Sequence, residues 1–352
     1  MTDFLPFLKT LLSTPGLSGY EDPIRNIILD AWQPFVDEIQ INRLGSLHAL
    51  KRGTNPEPRH TMLFAAHMDA IGLMVSGLEG EFIRLAAVGD IDGRVLPGQL
   101  VTVHGREDIP GVIAELPHHL CPPNKDRGSV DLEYMIVDTG LSARQLNRRV
   151  RLGDLVSFAG SPLELSGEVL AGNSLDNRAS VAALTYCLQL INNQKPNWDV
   201  WFVATTREEE DGGGAKTSAF QIHPTLAIAI DVTFATGHGS PTHNTYPLGK
   251  GITLGWGPTI HPALFEKFKS LAEHLEIPFQ QEIMPRFSGT DADDIQLIAE
   301  GIPSMLVSIP IRYMHTAVEV VALKDINRAG RLIAEFAINL NDDFMNDLSW
   351  DN

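Results

Sequence analysis

The sequence is short of cysteine, of positive charge and of long apolar runs. Its two cysteines, Cys121 and Cys187, lack a CxxC spacing. Buried free thiols of a cytosolic protein are the favoured interpretation, although a disulfide between the two remains open. No stretch is long and apolar enough to cross a bilayer, and the first residues lack the basic segment and apolar run of a signal peptide. The expected location is therefore cytoplasmic.

Positive charge is scarce, with 27 Lys and Arg residues against 44 Asp and Glu and a formal net charge of −17. Such a surface repels phosphate backbones, so nucleic acid is not an expected partner. The lack of an apolar span makes a membrane equally unexpected. The sequence also shows no internal repeat and no low-complexity tract.

Apolar runs and helical patterns alternate over most of the chain. Its 352 residues suit one large domain or two domains, and the alternation predicts a layered α/β domain. Continuous apolar runs predict buried strands at residues 61–66, 200–205, 226–230 and 304–309. The helical patterns occupy residues 4–12, 21–32, 176–192, 215–220, 262–275, 291–299 and 325–340.

The pattern changes between residues 72 and 162. Short alternating stretches are punctuated there by Gly, Pro and Asp, and no long helical pattern occurs. This texture is typical of a small β-rich domain. We therefore predict one discontinuous α/β domain, residues 1–71 and 163–352, interrupted by a β-rich insertion at residues 72–162.

Residues able to bind metal ions follow the predicted buried strands. In open α/β sheets, ligands bind beyond the carboxyl ends of the strands. Five segments therefore bring imidazole or carboxylate groups to one edge of the sheet. These groups are His67, Glu208 with Glu209, Asp231, His315, and Asp176 at the start of a helix.

Each of these residues also has an ordinary structural interpretation. A histidine after a strand is usually exposed or hydrogen-bonded, and Asp176 before a helix is an ordinary N-cap. The acidic run at residues 208–211 is typical of a solvated turn. Asp231 differs, because a carboxylate that continues an apolar strand must be paired or bind a cation. The coincidence of all five segments at one edge favours a shared site.

The composition of this set indicates a site for two metal ions. Asp69, two residues after His67 in an extended segment, is a candidate to accept the second imidazole N–H. Two histidines and three carboxylates, without a thiolate, suit zinc, cobalt or manganese. Five ligands exceed the needs of one catalytic ion, which indicates two ions that share a bridging carboxylate and activate a water.

Specific motifs extend along almost the whole chain. They are PGLSGYE at 15–21, AHMDAIGLM at 66–74, GVI at 111–113, PHHL at 117–120, LDNR at 175–178, REE at 207–209, GA at 214–215, AIDVT at 229–233, SGTDA at 288–292, IPIRYMH at 309–315 and EVV at 319–321. In this order and spacing the sequence resembles the M42 aminopeptidases, also called tetrahedral or TET aminopeptidases.

The resemblance implies a role for each site residue. One metal would be bound by His67 and Asp231 and the second by Glu209 and His315, with Asp176 as the bridge. Two further residues complete the site. Glu208 would be the general base, and Asp69 would lie behind His67.

The resemblance also implies fold and function. The expected fold is an α/β metallopeptidase domain with an inserted β-barrel-like domain that mediates dimerisation, and dimers of this family commonly form a hollow dodecamer. The expected reaction is hydrolysis of the N-terminal residue from peptides with a free N-terminus. Two divalent metal ions would be the cofactors, with zinc favoured and cobalt or manganese as alternatives.

Two positions depart from the family pattern. Ala70 stands where the family commonly has Glu, and residues 210–214 read EDGGG where the family usually has VGLRG. The second change leaves the shape of the loop beside Glu208 open and places several carboxylates together, which raises their pKa values unless cations neutralise them. We expect residues 288–291 and 212–214 to shape the substrate pocket.

Three other functions remain open at this point. One is a related metal-dependent amide hydrolase, either a deacylase or a carboxypeptidase. Another is an endoglucanase, a label this family has sometimes carried, which would use a carboxylate pair without metal. The third is a non-enzymatic scaffold, which the complete set of inferred ligands argues against.

Overall fold

The computed structural model describes residues 4–115 and 132–348, so Cys121 and the motif at residues 117–120 lie outside the described residues. The helices are α1 Leu5–Leu12, α2 Asp22–Trp32, α3 Ala143–Arg149, α4 Leu175–Leu190, α5 Gly213–Ile222, α6 Pro262–His274, α7 Asp291–Ile295 and α8 Leu323–Asn339. Within these described ranges, no helix combines the length and the apolar character that a membrane crossing requires.

The strands form one large sheet and one barrel. The first nine are β1 Glu38–Ile41, β2 Leu47–Lys51, β3 Thr61–His67, β4 Gly72–Glu79, β5 Phe82–Val88, β6 Leu100–His104, β7 Asp108–Glu115, β8 Met135–Asp138 and β9 Leu155–Phe158. The others are β10 Leu163–Leu165, β11 Val169–Gly172, β12 Asp199–Thr205, β13 Leu226–Phe234, β14 Ile252–Trp256, β15 Phe279–Ile283, β16 Ser304–Arg312 and β17 Glu319–Ala322.

The large sheet has eleven strands, in the order β1-β2-β12-β3-β13-β16-β17-β11-β10, with β14 and β15 extending from β16. Its centre, β12-β3-β13-β16, is parallel throughout. These four strands contain the four apolar runs of the sequence, which are buried because helices cover both faces of the sheet. Their carboxyl ends therefore meet at one edge.

Alternate side chains of β3 enter two different cores. Phe64 belongs to the larger core, which also contains residues of α1, α2, α4, α6 and α8. Leu63 belongs to a smaller core formed with α5 and α7. Fully burying such a side chain contributes about 1.5–3 kcal/mol to stability. Packing on both faces of the sheet therefore holds β3 in place. The layered α/β fold predicted from the sequence is confirmed.

A closed six-stranded barrel, β4-β5-β8-β7-β6-β9, follows directly after β3 along the chain. Alternate residues of its strands, such as Val75, Val101 and Val137, fill a separate interior core. The predicted small β-barrel inserted into the α/β fold is therefore present. Helix α3 was not predicted in this segment, although Ser142 and Gln145 form a capping box at its start.

One prediction along the chain needs correction. Helix α7 ends at Ile295, whereas the sequence pattern predicted a helix to residue 299. A tight turn replaces its last part, because the Ile302 N–H donates to the Gln296 carbonyl at 3.1 Å and Ala299 has φ of +54°. The favoured interpretation of the cysteines agrees for the described one, since Cys187 is buried as a free thiol.

Candidate active site

The four parallel strands bring the predicted ligands to one sheet edge. Strand β3 ends at His67, and β12 ends at Thr205, shortly before Glu208 and Glu209. Strand β16 is followed by the turn that contains His315. Asp231 differs from the prediction that its strand ends there, because β13 continues through Asp231 to Phe234.

Asp176 lies between the two histidines. Its Oδ1 is 3.1 Å from Nε2 of His67, and its Oδ2 is 3.4 Å from Nε2 of His315. Oδ1 of Asp231 is 3.7 Å from the same His67 nitrogen, and Oε2 of Glu209 is 3.5 Å from that of His315. The five residues predicted as ligands thus form two groups joined by one carboxylate.

The backbone at the start of α4 presents Asp176 to this centre. Ser174, in a left-handed conformation with φ of +63°, occupies the N-cap position, so the N-cap interpretation of Asp176 is wrong. Asp176 itself has non-helical backbone angles. The neighbouring Asn177 donates from Nδ2 to the Ile230 carbonyl at 2.9 Å, which ties this segment to β13.

Glu208 lies on the His67 side of the centre. Its Oε2 is 3.7 Å from Nε2 of His67. Burial raises the pKa of the Glu208 carboxyl group well above its usual value. Glu208 and the consecutive Glu209 therefore face different histidines, which separates two acids that the sequence alone presents as one run.

Asp69 contacts the site through both its backbone and its carboxylate. Nδ1 of His67 lies 3.2 Å from the Asp69 carbonyl oxygen and 3.6 Å from Oδ1. The carboxylate instead accepts the backbone N–H groups of Glu208, at 3.1 Å, and Glu209, at 3.2 Å. Asp69 thereby fixes the orientation of His67 through its carbonyl and the position of the two glutamates through its side chain.

Glu319 is a site residue to which the sequence analysis assigned no role. Its Oε1 accepts the backbone N–H of His315 at 2.9 Å, and its Oε2 accepts that of Asp176 at 3.0 Å. The side chain is buried. The only signal in the sequence was its position in the EVV motif, because spacing does not reveal a contact with the backbone of two distant segments.

The electrostatic environment of the cluster is strongly acidic. Burial and neighbouring carboxylates raise the pKa values of Glu209 and Asp231 well above their usual range. Burial opposes protonation of His67, but Glu208 and Asp176 outweigh it and raise the imidazole pKa. Burial also opposes ionisation of Asp176, and hydrogen bonds from the two imidazoles nevertheless hold its pKa below the usual value. At neutral pH such a cluster must retain protons or bind cations to offset its negative charge.

The donor set fits divalent cations. One ligand atom each from His67, Asp176 and Glu209 lie within 4.8 Å of one another. Oε1 of Glu209 is buried and has no hydrogen-bond partner among the residues that the structure describes. A buried carboxylate oxygen normally binds a donor or a cation. Imidazole and carboxylate ligands together suit zinc, cobalt and manganese.

These residues line a cavity of about 350 Å³. Ser288, Gly289 and Thr290 contribute to its wall, as predicted for the substrate pocket, whereas Asp291, which belonged to the same prediction, does not. Residues 212–214 do not line it, which contradicts the prediction for that loop. Strands β13 and β15 contribute walls instead, through Thr233 and Glu282 among others.

The sequence of this chain matches the profile of a known protein family. The M42 glutamyl aminopeptidase profile matches residues 45–332 of the chain. The chain belongs to the M42 family. It is therefore a metal-dependent aminopeptidase, a hydrolase of peptide bonds.

Relatives of this M42 chain match it over nearly its full length. It is 34% identical to the lysyl aminopeptidase of Pyrococcus furiosus, over 92% of this chain and 94% of that protein. The structure of the TET aminopeptidase from the marine sediment archaeon Thaumarchaeota archaeon SCGC AB-539-E09 superposes with a TM-score of 0.92 at 28% identity, covering 98% and 99% of the two chains. The TET1 peptidase of Pyrococcus horikoshii, described as assembling into a tetrahedron or a large octahedral shell, has a TM-score of 0.84 at 29% identity, covering 96% and 100%.

The two departures from the M42 pattern lie outside the cavity wall. Ala70 is buried and donates its N–H to the Gly16 carbonyl at 3.0 Å. In the acidic loop, Oε1 of Glu210 accepts the N–H of Gly89 at 2.9 Å, and Asp211 forms an ion pair with Arg207. Both loop acids therefore have partners away from the predicted ligands.

Proposed function

We propose that this M42 enzyme removes the N-terminal residue from peptides at the cavity around Asp176. The observation that carries this proposal is the position of Asp176 between two imidazoles, each of which also faces a second carboxylate. A carboxylate with one oxygen towards each of two histidines is the arrangement expected of a bridge between two cations.

We assign the ligands of the two cations as follows. His67 and Asp231 would hold one ion, Glu209 and His315 would hold the other, and Asp176 would contact both. Zinc is favoured, and cobalt or manganese fits the same imidazole and carboxylate set. When bound, such ions polarise a carbonyl group and lower the pKa of water towards neutrality.

Glu208 is the residue we propose to move the proton. A water attacks the carbonyl carbon of the first peptide bond while Glu208 accepts its proton, and Glu208 then returns that proton to the leaving amine as the carbon–nitrogen bond breaks. Its carboxylate is close to His67, and burial raises its pKa, which makes it a stronger base than an exposed glutamate. Asp69 supports this role by accepting the Glu208 N–H.

The charge of the cavity favours an aminopeptidase over the alternatives. Besides the proposed ligands, Asp90 and Glu282 line it, so a substrate α-ammonium group is attracted and a C-terminal carboxylate is repelled. This argues against a carboxypeptidase. An N-acylated peptide lacks the positive charge, so a deacylase is also disfavoured.

The variant Glu208→Gln tests the mechanism. It keeps the size of the side chain but cannot accept the proton, so we expect kcat to fall about 10²–10⁴-fold while bound metal, measured by mass spectrometry, stays unchanged. The matched control is Glu273→Gln, which alters an exposed glutamate of α6. Near-normal turnover by Glu208→Gln on aminoacyl p-nitroanilides would refute the assignment, and cleavage of N-acetylated substrates would favour a deacylase.

We also propose that residues 72–162 form a dimerisation domain inserted into an α/β domain of residues 1–71 and 163–352, and that the enzyme is a homo-oligomer. The TET1 peptidase of Pyrococcus horikoshii, which can assemble into a tetrahedron or a large octahedral shell, supports this by similarity. Light scattering on the purified protein should give a mass that is a multiple of the dimer. A mass equal to 38.6 kDa would contradict the proposal.

A further inference from the structure

Two carboxylates that line the cavity, those of Asp90 and Glu282, are used by none of the proposed catalytic steps. Glu282 lies on β15 and lines the same cavity as the proposed metal ligands. Its Oε1 accepts a hydrogen bond from Oγ1 of Thr233, and its Oε2 accepts one from Oγ1 of Thr253, both at 2.5 Å. The two threonines therefore fix the carboxylate in one orientation.

The distance between Glu282 and the catalytic centre is set by strand β13. Thr233 follows the proposed ligand Asp231 by two residues on the same strand, so both side chains lie on the same face of the sheet. Two residues along a strand span about 6.5–7 Å. The Glu282 carboxylate, held by Thr233, is therefore displaced from the centre by about the length of one long amino-acid side chain.

Within the described part of the chain, Glu282 has no cationic partner. None of the ion pairs formed within residues 4–115 and 132–348 includes it. Glu282 is half-buried. Burying a charged carboxylate without a counter-charge costs free energy, unless a cation can reach the carboxylate. Burial raises the pKa of the Glu282 carboxyl group, and the hydroxyl groups that donate to it act in the opposite direction.

The cavity wall beside this carboxylate is apolar. Val232, Met284, Leu306 and Met314 all contribute to it. Long basic side chains bury their methylene stems along such surfaces while their charged ends contact a carboxylate. An apolar wall that leads to one fixed negative charge matches the shape and charge of a lysine side chain.

We propose that Glu282 makes this enzyme selective for peptides whose N-terminal residue is basic, lysine above all. This inference rests on the aminopeptidase function proposed for the same cavity. The ammonium group of the N-terminal side chain binds the Glu282 carboxylate, and its methylene stem packs on the apolar wall. An N-terminal glutamate is repelled by the same carboxylate, and leucine fills the wall but leaves Glu282 unpaired.

Two measurements on the metal-loaded enzyme test the proposal. The first compares kcat/KM for the p-nitroanilides of lysine, arginine, leucine and glutamate, and we expect lysine to exceed leucine at least about 10-fold and glutamate to be the poorest. The second compares binding of free L-lysine and L-norleucine by calorimetry. Norleucine has the same stem without the amine, so tighter binding of lysine isolates the contribution of the charge.

The variant Glu282→Gln identifies the residue responsible. It keeps a hydrogen-bond partner for both threonines but removes the charge, so the ratio of kcat/KM for lysine over leucine should fall about 30-fold or more. The exposed control Glu273→Gln should keep the wild-type ratio. An unchanged ratio in Glu282→Gln, or a wild-type enzyme that prefers leucine, would overturn the proposal.

The two measurements separate this proposal from the one on which it rests. Absence of hydrolysis with every aminoacyl substrate would refute the proposed aminopeptidase mechanism. Lysine binding would still decide the role of Glu282, because equal affinity for lysine and norleucine overturns selectivity whether or not the enzyme turns over. Efficient cleavage of leucine with equal binding of the two amino acids would refute the selectivity alone.

Discussion

Two buried carboxylates, Asp69 and Glu319, hold the backbone that presents the proposed ligands. Asp69 accepts the N–H groups of Glu208 and Glu209, and Glu319 accepts those of Asp176 and His315. Each of these acids therefore joins two positions that carry catalytic or ligand side chains. Partners that orient ligands in this way commonly change metal affinity when they are altered.

The variant Glu319→Gln should weaken metal binding without removing any ligand. One oxygen is replaced by an NH₂ group, which cannot accept the N–H that faces it, so either Asp176 or His315 loses its support. We expect metal affinity to fall about 10–100-fold, measured by competition with a chelator, and activity to return in excess metal. Glu273→Gln is the matched control. Unchanged affinity would show that Glu319 supports the fold and not the site.

The residue types at the site were predictable, and their supporting contacts were not. His67 and His315 could be placed at one edge because their strands are buried and parallel, and such strands have a clear apolar signature. The role of Glu319 depends on hydrogen bonds to backbone groups, which every residue possesses. No sequence pattern distinguishes such an acid from one that is exposed.

At the scale of elements, the glycine run before and within α5 sets the path of the chain after Glu208 and Glu209. Gly214 packs closely against the backbone of Thr206, the residue that follows β12. A Cβ at Gly214 would lie 2.1 Å from the Thr206 carbonyl oxygen and 2.5 Å from the Thr206 backbone nitrogen. At Gly213 the nearest neighbour of a Cβ would be the flexible end of Asp211, at 2.9 Å, followed by Cδ1 of Leu44 at 3.5 Å. The two adjacent glycines therefore differ in their tolerance of a side chain.

The variant Gly214→Ala should destabilise the protein by about 1–3 kcal/mol or more, because the backbone of Thr206 cannot yield easily. Gly213→Ala, its matched control, should stay within about 1 kcal/mol of the wild type. Denaturant unfolding of the metal-loaded proteins measures both. Equal stability of the two variants would contradict the close contact at Gly214.

Elements with a complete local signature were predicted, and those that depend on tertiary neighbours were missed. The buried strands β3, β12, β13 and β16 correspond to continuous apolar runs. Strand β15 is half-exposed and mixes polar with apolar residues, so it gave no recognisable period. Glu282 was therefore absent from the sequence-based expectation, which assigned the wall of the cavity to residues 288–291 and 212–214.

At the scale of the whole molecule, the acidic cluster links stability to pH and to metal. In the metal-free protein, burial raises the pKa values of Glu208, Glu209 and Asp231 above those of the unfolded chain, and carboxylates raise that of His67 despite its burial. Groups with raised pKa values stabilise the fold below their unfolded pKa and lose that contribution as pH rises through the folded pKa. Asp176, whose pKa is lowered, contributes constantly above pH 4.

The metal-free enzyme should therefore become less stable as the pH rises above about 6.5, by about 1.4 kcal/mol per pH unit for each proton that the folded state retains. This window lies above the range in which His48, whose burial lowers its pKa to about 4, affects stability. Bound cations replace these protons, so the zinc-loaded enzyme should show a much smaller slope. Calorimetric melting at several pH values, with chelator or with zinc, measures both slopes. Parallel slopes in the two states would mean that the cluster does not exchange protons for metal.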